Sequence, residues 1–136
     1  LRFKLFLDFN KERSVAEEYV HMLKTATPSV NQPVMFLSGG NQQKVVLAKW
    51  LFSDSRIVIL DEPTRGIDVG AKREIYEIIN KLAADGKVII VVSSEMEEIM
   101  GISDRIVVMH EGRIAGEVDR EHFSQSLITE YAVGGA

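Results

Sequence analysis

Ile57-Val58-Ile59-Leu60-Asp61-Glu62-Pro63 is the stretch on which the reading of this chain turns. Three β-branched residues in a run of four apolar ones predict a short buried strand, Pro63 stops it, and two carboxylates stand at its carboxyl end. Ligands of open α/β sheets bind beyond the carboxyl ends of the strands, so Asp61 and Glu62 stand where chemistry is expected. An ionised carboxylate beside an uncharged strand needs a cation, a hydrogen-bond donor or water. Successive strand side chains point opposite ways, which suits the two acids to different tasks, one facing a metal ion and the other a water. A strand that simply ends in solvated acids before a proline turn fits the same residues.

The flanking sequence alternates helix and strand patterns. Upstream, Val15, Val20, Met22 and Leu23 lie among Glu17, Glu18 and Lys24 and predict a helix over 14–24, followed by a loop from Lys24 to Pro33. Leu47/Leu51 and Ala48/Phe52 sit one turn apart and predict a helix from Val45 to Phe52, with Trp50 expected in the core, docking of a partner helix by Trp50, Leu51 and Phe52 being the alternative. Downstream, Ile75, Ile78, Ile79 and Leu82 mark a helix that Asp85-Gly86 ends, and Lys87 to Val92 predicts a buried strand. Ser94 and Glu97 have capping-box spacing and should open a short helix that Gly101 closes. Arg105–Met109 and Arg113–Val118 flank His110-Glu111-Gly112 as a hairpin, and a last helix runs through Leu127, Ile128 and Tyr131. The pattern predicts an α/β fold: a mostly parallel sheet flanked by helices, an antiparallel hairpin at its C-terminal end and a helical piece at its N-terminal end. Phe3, Leu5, Leu7 and Phe9 alternate with Arg2, Lys4, Phe6 and Asp8, which fits an edge strand or a helix end. Gly134-Gly135-Ala136 is expected to be a disordered tail.

Composition narrows the classes of function. The 136 residues carry 16 Lys plus Arg against 20 Asp plus Glu, a charge of −4, with 46% hydrophobic residues and no cysteine. One soluble domain of this size hides about two-thirds of the surface its unfolded chain exposes. Disulfide scaffolds and Cys-ligated zinc or iron–sulfur sites are excluded, and mild acidity gives no electrostatic reason for nucleic acid binding. The longest apolar runs, such as Val88 to Val92, fall far below the roughly 20 residues that cross a bilayer. With no leader pattern and no cysteine, the expected compartment is the cytoplasm. His21, His110 and His122 are not spaced as metal ligands. The chain begins at Leu1, so it is expected to be a piece of something longer.

A second constellation, Leu37-Ser38-Gly39-Gly40-Asn41-Gln42-Gln43-Lys44, stands directly before a helix. Ser38 is a good N-cap, and the two glycines let another molecule approach the backbone. Free amides at a helix start, backed by the macrodipole, make an anion site. An ordinary capped helix after a glycine turn reads the same way.

Taken together, Ser38 to Gln43, Ile57 to Pro63 and Gly66-Ile67-Asp68 resemble the signature motif, Walker B strand and D-loop of ABC-type ATPases, in that family's order and at its spacing. The Asn-Gln-Gln-Lys ending at 41–44 and the run from Asp61 to Lys72 look most like the second ATPase half of bacterial importers for ribose and related monosaccharides. The resemblance implies a partial ABC ATPase domain over 1–136, with 1–52 in the helical subdomain and 53–136 running from Walker B to the C-terminus. It implies that Asp61 orients Mg²⁺ through a water and that Glu62 polarises the water attacking the γ-phosphate. Ser38, Gly39, Gly40 and Gln42 would contact ATP held by a second ABC ATPase domain, and Asp68 would sit at the interface joining the two sites. Asp68 also stands where it can cap the helix that follows.

Two departures from the family pattern shape the expectation. The chain holds no G-x-x-x-x-G-K-[ST]; around its Gly86-Lys87 pair, Lys81 and Val88 occupy the positions that a P-loop fills with Gly and Ser or Thr. Alone, it is expected to bind ATP weakly or not at all and to be inactive, while the intact parent hydrolyses ATP. Where the family has a switch histidine, this chain has Ser94, a hydroxyl that can bond a phosphate but carries no charge, or that simply caps a helix with Glu97. The implied partners are membrane permease subunits and, indirectly, a periplasmic sugar-binding protein, with the chain peripheral at the cytoplasmic face of the inner membrane. A non-catalytic dimerisation or regulatory module is the alternative of a different class. A DNA-repair or chromosome ATPase would add a coiled-coil insertion or a basic face, and neither is visible.

Overall fold

The computed structural model describes residues 8–135. Helix α1 (Phe9–Met22) begins five residues before the apolar pattern does, because Asp8 caps it by accepting from the Lys11 amide at 3.1 Å. A 3-10 turn (Val34–Phe36) leads into α2 (Gly39–Phe52), whose first turn is the polar Gly-Gly-Asn-Gln stretch and which buries Leu47 and Leu51. Trp50, expected in the core, lies exposed on α2 together with Phe52, and Phe52 meets Tyr19 of α1 edge-on at 6.3 Å between ring centroids. The alternating Phe3, Leu5 and Leu7 lie outside the described residues.

Strand β1 (Ile57–Asp61) buries Val58 and Leu60 and exposes Ile57, Ile59 and Asp61. Helix α3 (Val69–Ala84) starts at Asp68, whose Oδ1 accepts from the Ala71 amide at 3.0 Å. Its buried stripe is Ile75, Ile79 and Leu82, and it packs against α2. Gly86, with φ of 88°, takes the left-handed position that ends α3 and leads into β2 (Val88–Val92). β1 and β2 are hydrogen-bonded neighbours. The Val88 amide bonds the Arg56 carbonyl at 2.9 Å and the Glu62 amide bonds the Val92 carbonyl at 2.8 Å, so the pairing advances in the same direction and the strands are parallel. β2 is not the buried strand that its apolar run predicts, because Val88, Ile90 and Val92 stand exposed on one of its faces.

Helix α4 (Met96–Ile102) opens on Glu95 without a side-chain cap. The predicted Ser94–Glu97 capping box is absent: Ser93 Oγ accepts the Glu95 amide at 3.0 Å, and the Ser94 amide is committed elsewhere. Gly101 does not close the helix but lies within it. Strands β3 (Arg105–His110) and β4 (Arg113–Asp119) pair antiparallel from Arg105↔Asp119 to His110↔Arg113, as a two-stranded sheet of their own. Helix α5 (Gln125–Ala132) packs on this hairpin, closing a core of Ile106, Val108, Val118 and Ile128. Tyr131 lies so close over Gly116 that any side chain there would collide with its ring. The Gly134 and Gly135 amides bond the carbonyls of Tyr131 and Glu130, so these two residues form the helix terminus and not the disordered tail expected of them. Ala136 lies outside the described residues.

Contacts group the chain into two units, one of residues up to Val58 with Pro63–Ile90, the other of Ile59–Glu62 with the residues from Val91 onward. No described helix is long and apolar enough to cross a membrane.

Candidate functional site

In the first unit, the start of α2 gathers the residues of the glycine-rich stretch. Ser38 stands at the N-cap position with extended backbone, yet its hydroxyl caps no amide, contrary to the role its position predicts. The hydroxyl oxygen instead accepts from Asn41 Nδ2 at 2.8 Å, while Asn41 Oδ1 accepts from the Ala26 amide at 2.8 Å. The Gln42 side chain turns back and donates from Nε2 to the Leu37 carbonyl at 2.9 Å. Ser38 and Gly39 are exposed and Gly40 is buried. A Cβ on Gly40 would fall 2.5 Å from the Ala71 Cβ, so this glycine permits the close approach of α2 to the first turn of α3.

That contact ties the glycine-rich stretch to the loop ending at Asp68. Ile67 lies against Gly39, where an added Cβ would meet its Cγ2 at 3.4 Å. One helical turn further on, the buried Lys44 ammonium bonds Glu74 Oε2 of α3 at 2.7 Å and the Lys24 carbonyl at 2.9 Å. Lys44 is 3% exposed and Glu74 is 55% exposed, so the pair has a buried cation and a solvated anion. A buried ammonium without such acceptors would be strongly disfavoured, and this arrangement fixes where α2 starts relative to α3.

The second unit holds the acids that end β1. Asp61 is exposed and continues the face of Ile57 and Ile59. Glu62 is half-buried and adopts φ of 46°, a left-handed conformation that costs a non-glycine residue on the order of 1–2 kcal/mol. Two bonds fix it: its amide to the Val92 carbonyl, and its Oε1 accepting from the Ser94 amide at 3.1 Å. In a regular strand Glu62 would follow Val58 and Leu60 onto the buried face. The left-handed turn removes it from that alternation. Ser94, singled out for its hydroxyl, thus meets Glu62 through its backbone.

Each of the sequence-predicted residues therefore belongs to one of two local constellations: Ser38, Gly39, Gly40, Gln42 and Asp68 in one, and Asp61, Glu62 and Ser94 in the other. Asn41, Lys44 and Glu74 were not singled out. Asn41 and Lys44 lie inside the quoted stretch, but nothing local marks Glu74, 30 residues on, as the partner of Lys44. A cavity of about 550 Å³ beside α1 and α2, walled by Val15, Tyr19, Leu37, Ala48 and Phe52, is lined by none of the predicted site residues.

Residues 7–65 match the family model described as ABC transporter. The ribose import ATP-binding protein RbsA of Geobacillus kaustophilus is 52% identical over 130 residues, which are 96% of this chain and 26% of that protein. The arabinose import ATP-binding protein AraG 1 of Burkholderia thailandensis is 54% identical over 134 residues, 98% of this chain and 27% of its own length. Along nearly its whole length the chain is similar to ATP-binding proteins of sugar importers. It spans about a quarter of the length of these curated relatives. The fold agrees with solved ABC ATPase structures: the dimeric bacterial ABC transporter cassette MJ0796 superposes with a TM-score of 0.73 at 24% identity over 89% of this chain and 52% of that one. MJ1267, an ATP-binding cassette of an ABC transporter, gives 0.77 at 21% identity over 98% of this chain and 54% of that one. The α/β expectation, a partial ABC ATPase fold with parallel strands, flanking helices and a terminal antiparallel hairpin, is met.

Proposed function

We propose that this chain supplies the signature, Walker B and D-loop parts of an ATP-hydrolysing domain that drives import of a ribose-like monosaccharide. The observation that carries the reading is 52–54% identity to ribose and arabinose import ATP-binding proteins along 96–98% of the chain. In this reading residues 1–52 belong to the helical subdomain and 53–136 to the portion from Walker B onward. The P-loop comes from outside the chain, which has no G-x-x-x-x-G-K-[ST]. The partners are a second ABC ATPase domain, permease subunits that hold the chain at the cytoplasmic face of the inner membrane, and a periplasmic sugar-binding protein that acts through them.

The chemistry divides between the two constellations. Ser38 and the first-turn amides at Gly39 and Gly40 face the γ-phosphate of ATP held by the second domain, and the helix dipole favours that charge. With its side-chain amide bonded to Leu37, Gln42 acts by stiffening the turn. Asp61 offers one exposed carboxylate, and the described residues hold no group of three or more His, Cys, Asp or Glu that could cage a metal. That donor set fits Mg²⁺, which binds through one or two carboxylates with phosphates and waters completing its shell, and which supplies charge stabilisation of the transferring phosphoryl group. Glu62 orients and polarises the attacking water, steadied by the Ser94 amide. Asp68 holds the start of α3 and presents the loop before it to the other domain.

A second reading, a slow or regulatory site, is favoured by one observation: the switch-histidine position is Ser94, whose contact with Glu62 is made by the backbone. Calorimetric titration with Mg-ATP tests the principal reading. The chain alone should give no saturable binding, and addition of a P-loop-carrying ATPase half should produce ATP-dependent association. Tight binding of ATP to the lone chain overturns it.

A further inference from the structure

We infer that Asn41 turns the Ser38 hydroxyl proton away from itself and so biases Ser38 to donate toward the phosphate bound across the signature stretch; the inference rests on the reading just proposed. The argument is one of hydrogen-bond polarity. The Ala26 amide can only donate, so the Asn41 atom 2.8 Å from it is the carbonyl oxygen. The other terminal atom of Asn41 is then the NH₂ group, a donor only, and it lies 2.8 Å from Ser38 Oγ. Ser38 Oγ must accept there, and its own proton must point elsewhere. Among the described residues the Ser38 hydroxyl has Asn41 as its one hydrogen-bond partner, so no protein acceptor holds that proton, and no helix amide takes up the remaining lone pair.

A serine hydroxyl ordinarily rotates to offer either a proton or a lone pair. With Asn41 in place one lone pair is occupied, and the exposed side of Ser38 presents a donor. A phosphate oxygen, which only accepts, meets a hydroxyl whose proton is already kept away from the Asn41 side, so less rotor freedom is lost on binding. Asn41 is thus a positioning residue that acts through Ser38 and through the backbone of Ala26, which reaches it from the loop before the 3-10 turn.

Aspartate at position 41 separates this role from a structural one. Asn41 is the third residue of α2, where a carboxylate favours the helix dipole and can still accept from the Ala26 amide. A structural role therefore predicts that Asn41→Asp is neutral or stabilising. The positioning role predicts a loss: the second carboxylate oxygen accepts from Ser38, turns its proton inward and presents lone pairs to the phosphate.

The test compares unmodified protein, Ser38→Ala, Asn41→Asp, Asn41→Ala and the Ser38→Ala/Asn41→Asp double variant in the full-length ATPase that carries this chain. Readouts are kcat and KM for Mg-ATP hydrolysis, and the melting temperature. Asn41→Asp should lower kcat/KM on the order of tenfold or more with no fall in melting temperature, and Asn41→Ala, which frees the rotor, should fall between. On the Ser38→Ala background, Asn41→Asp should cost less than about threefold further. A loss that persists in full on that background assigns the effect to charge repulsion and overturns the inference. So does an Asn41→Asp protein as active as the unmodified one while Ser38→Ala is impaired. If Ser38→Ala itself leaves the kinetics unchanged, the signature reading falls, and the inference with it.

Discussion

At the start of α2 a set of neutral hydrogen bonds turns side chains back onto the chain, from Asn41 to Ala26 and Ser38 and from Gln42 to Leu37, and the helix there is regular. At the end of β1 a carboxylate is held by a single amide from Ser94, on a residue forced into left-handed backbone. On the proposed function, the contrast follows from what each place presents. A helix start already points donors outward, so an anion receptor needs only its side chains tidied away. A strand alternates, and Glu62, two residues after the buried Leu60, would face the core unless the chain broke its own period. Left-handed backbone also occurs at Lys24, Asp54 and Glu111, but at Glu62 it falls where an acid has to be brought out beside an apolar run.

The largest effect that could break this comparison lies at Glu62. Glu62→Gln keeps the side-chain shape and an oxygen that can accept from Ser94, but removes the charge to which the proposed function assigns the polarising of water. In the full-length ATPase it should lower single-turnover hydrolysis at its site by about a hundredfold or more while ATP binding is retained. Undiminished turnover would remove Glu62 from the water-activating role and leave its strained backbone without a functional reason.

The next effect is structural and belongs to the other constellation. Gly40→Ala places a methyl group 2.5 Å from Ala71 Cβ, with backbone on both sides and no flexible side chain to move away. Overpacking of this kind costs about 1–3 kcal/mol, read as a lower denaturation midpoint in urea. A Gly40→Ala protein of unchanged stability would show that α2 and α3 have room to part, and that the glycine is there for the ligand alone. Gly39→Ala, which meets Ile67 at 3.4 Å, ordinary contact distance, should disturb stability much less and serves as the comparison.

The two constellations were unequally legible in the sequence. Both stretches stood out by their residue types, and the strand, the long helices and the hairpin follow from local period. Asp68 as the cap of α3 was readable because capping reaches only three residues ahead, to Ala71. What escaped were interactions across the chain: Lys44 with Glu74, Asn41 with Ala26, and the Ser94 amide with Glu62. Periodicity carries no information about partners 15 to 32 residues away. The misplaced capping box is the instructive error. Ser94 and Glu97 have the right spacing, but the Ser94 amide was already claimed by Glu62, and the helix could begin only beyond it.

That error leads to the smallest expected effect. If the main chain at 94 steadies Glu62, the hydroxyl is dispensable for that purpose, and Ser94→Ala should change turnover by less than about twofold, the range of an exposed substitution that touches nothing essential. A large loss would show the hydroxyl itself contacting phosphate. Ser94→His then sharpens the result, because it restores a side chain that can carry charge at the switch position while leaving the amide in place. Turnover should rise with histidine and stay level with alanine. Were both variants level with serine, the backbone amide would be the whole contribution of this position, and the slow or regulatory reading of the site would gain over the catalytic one.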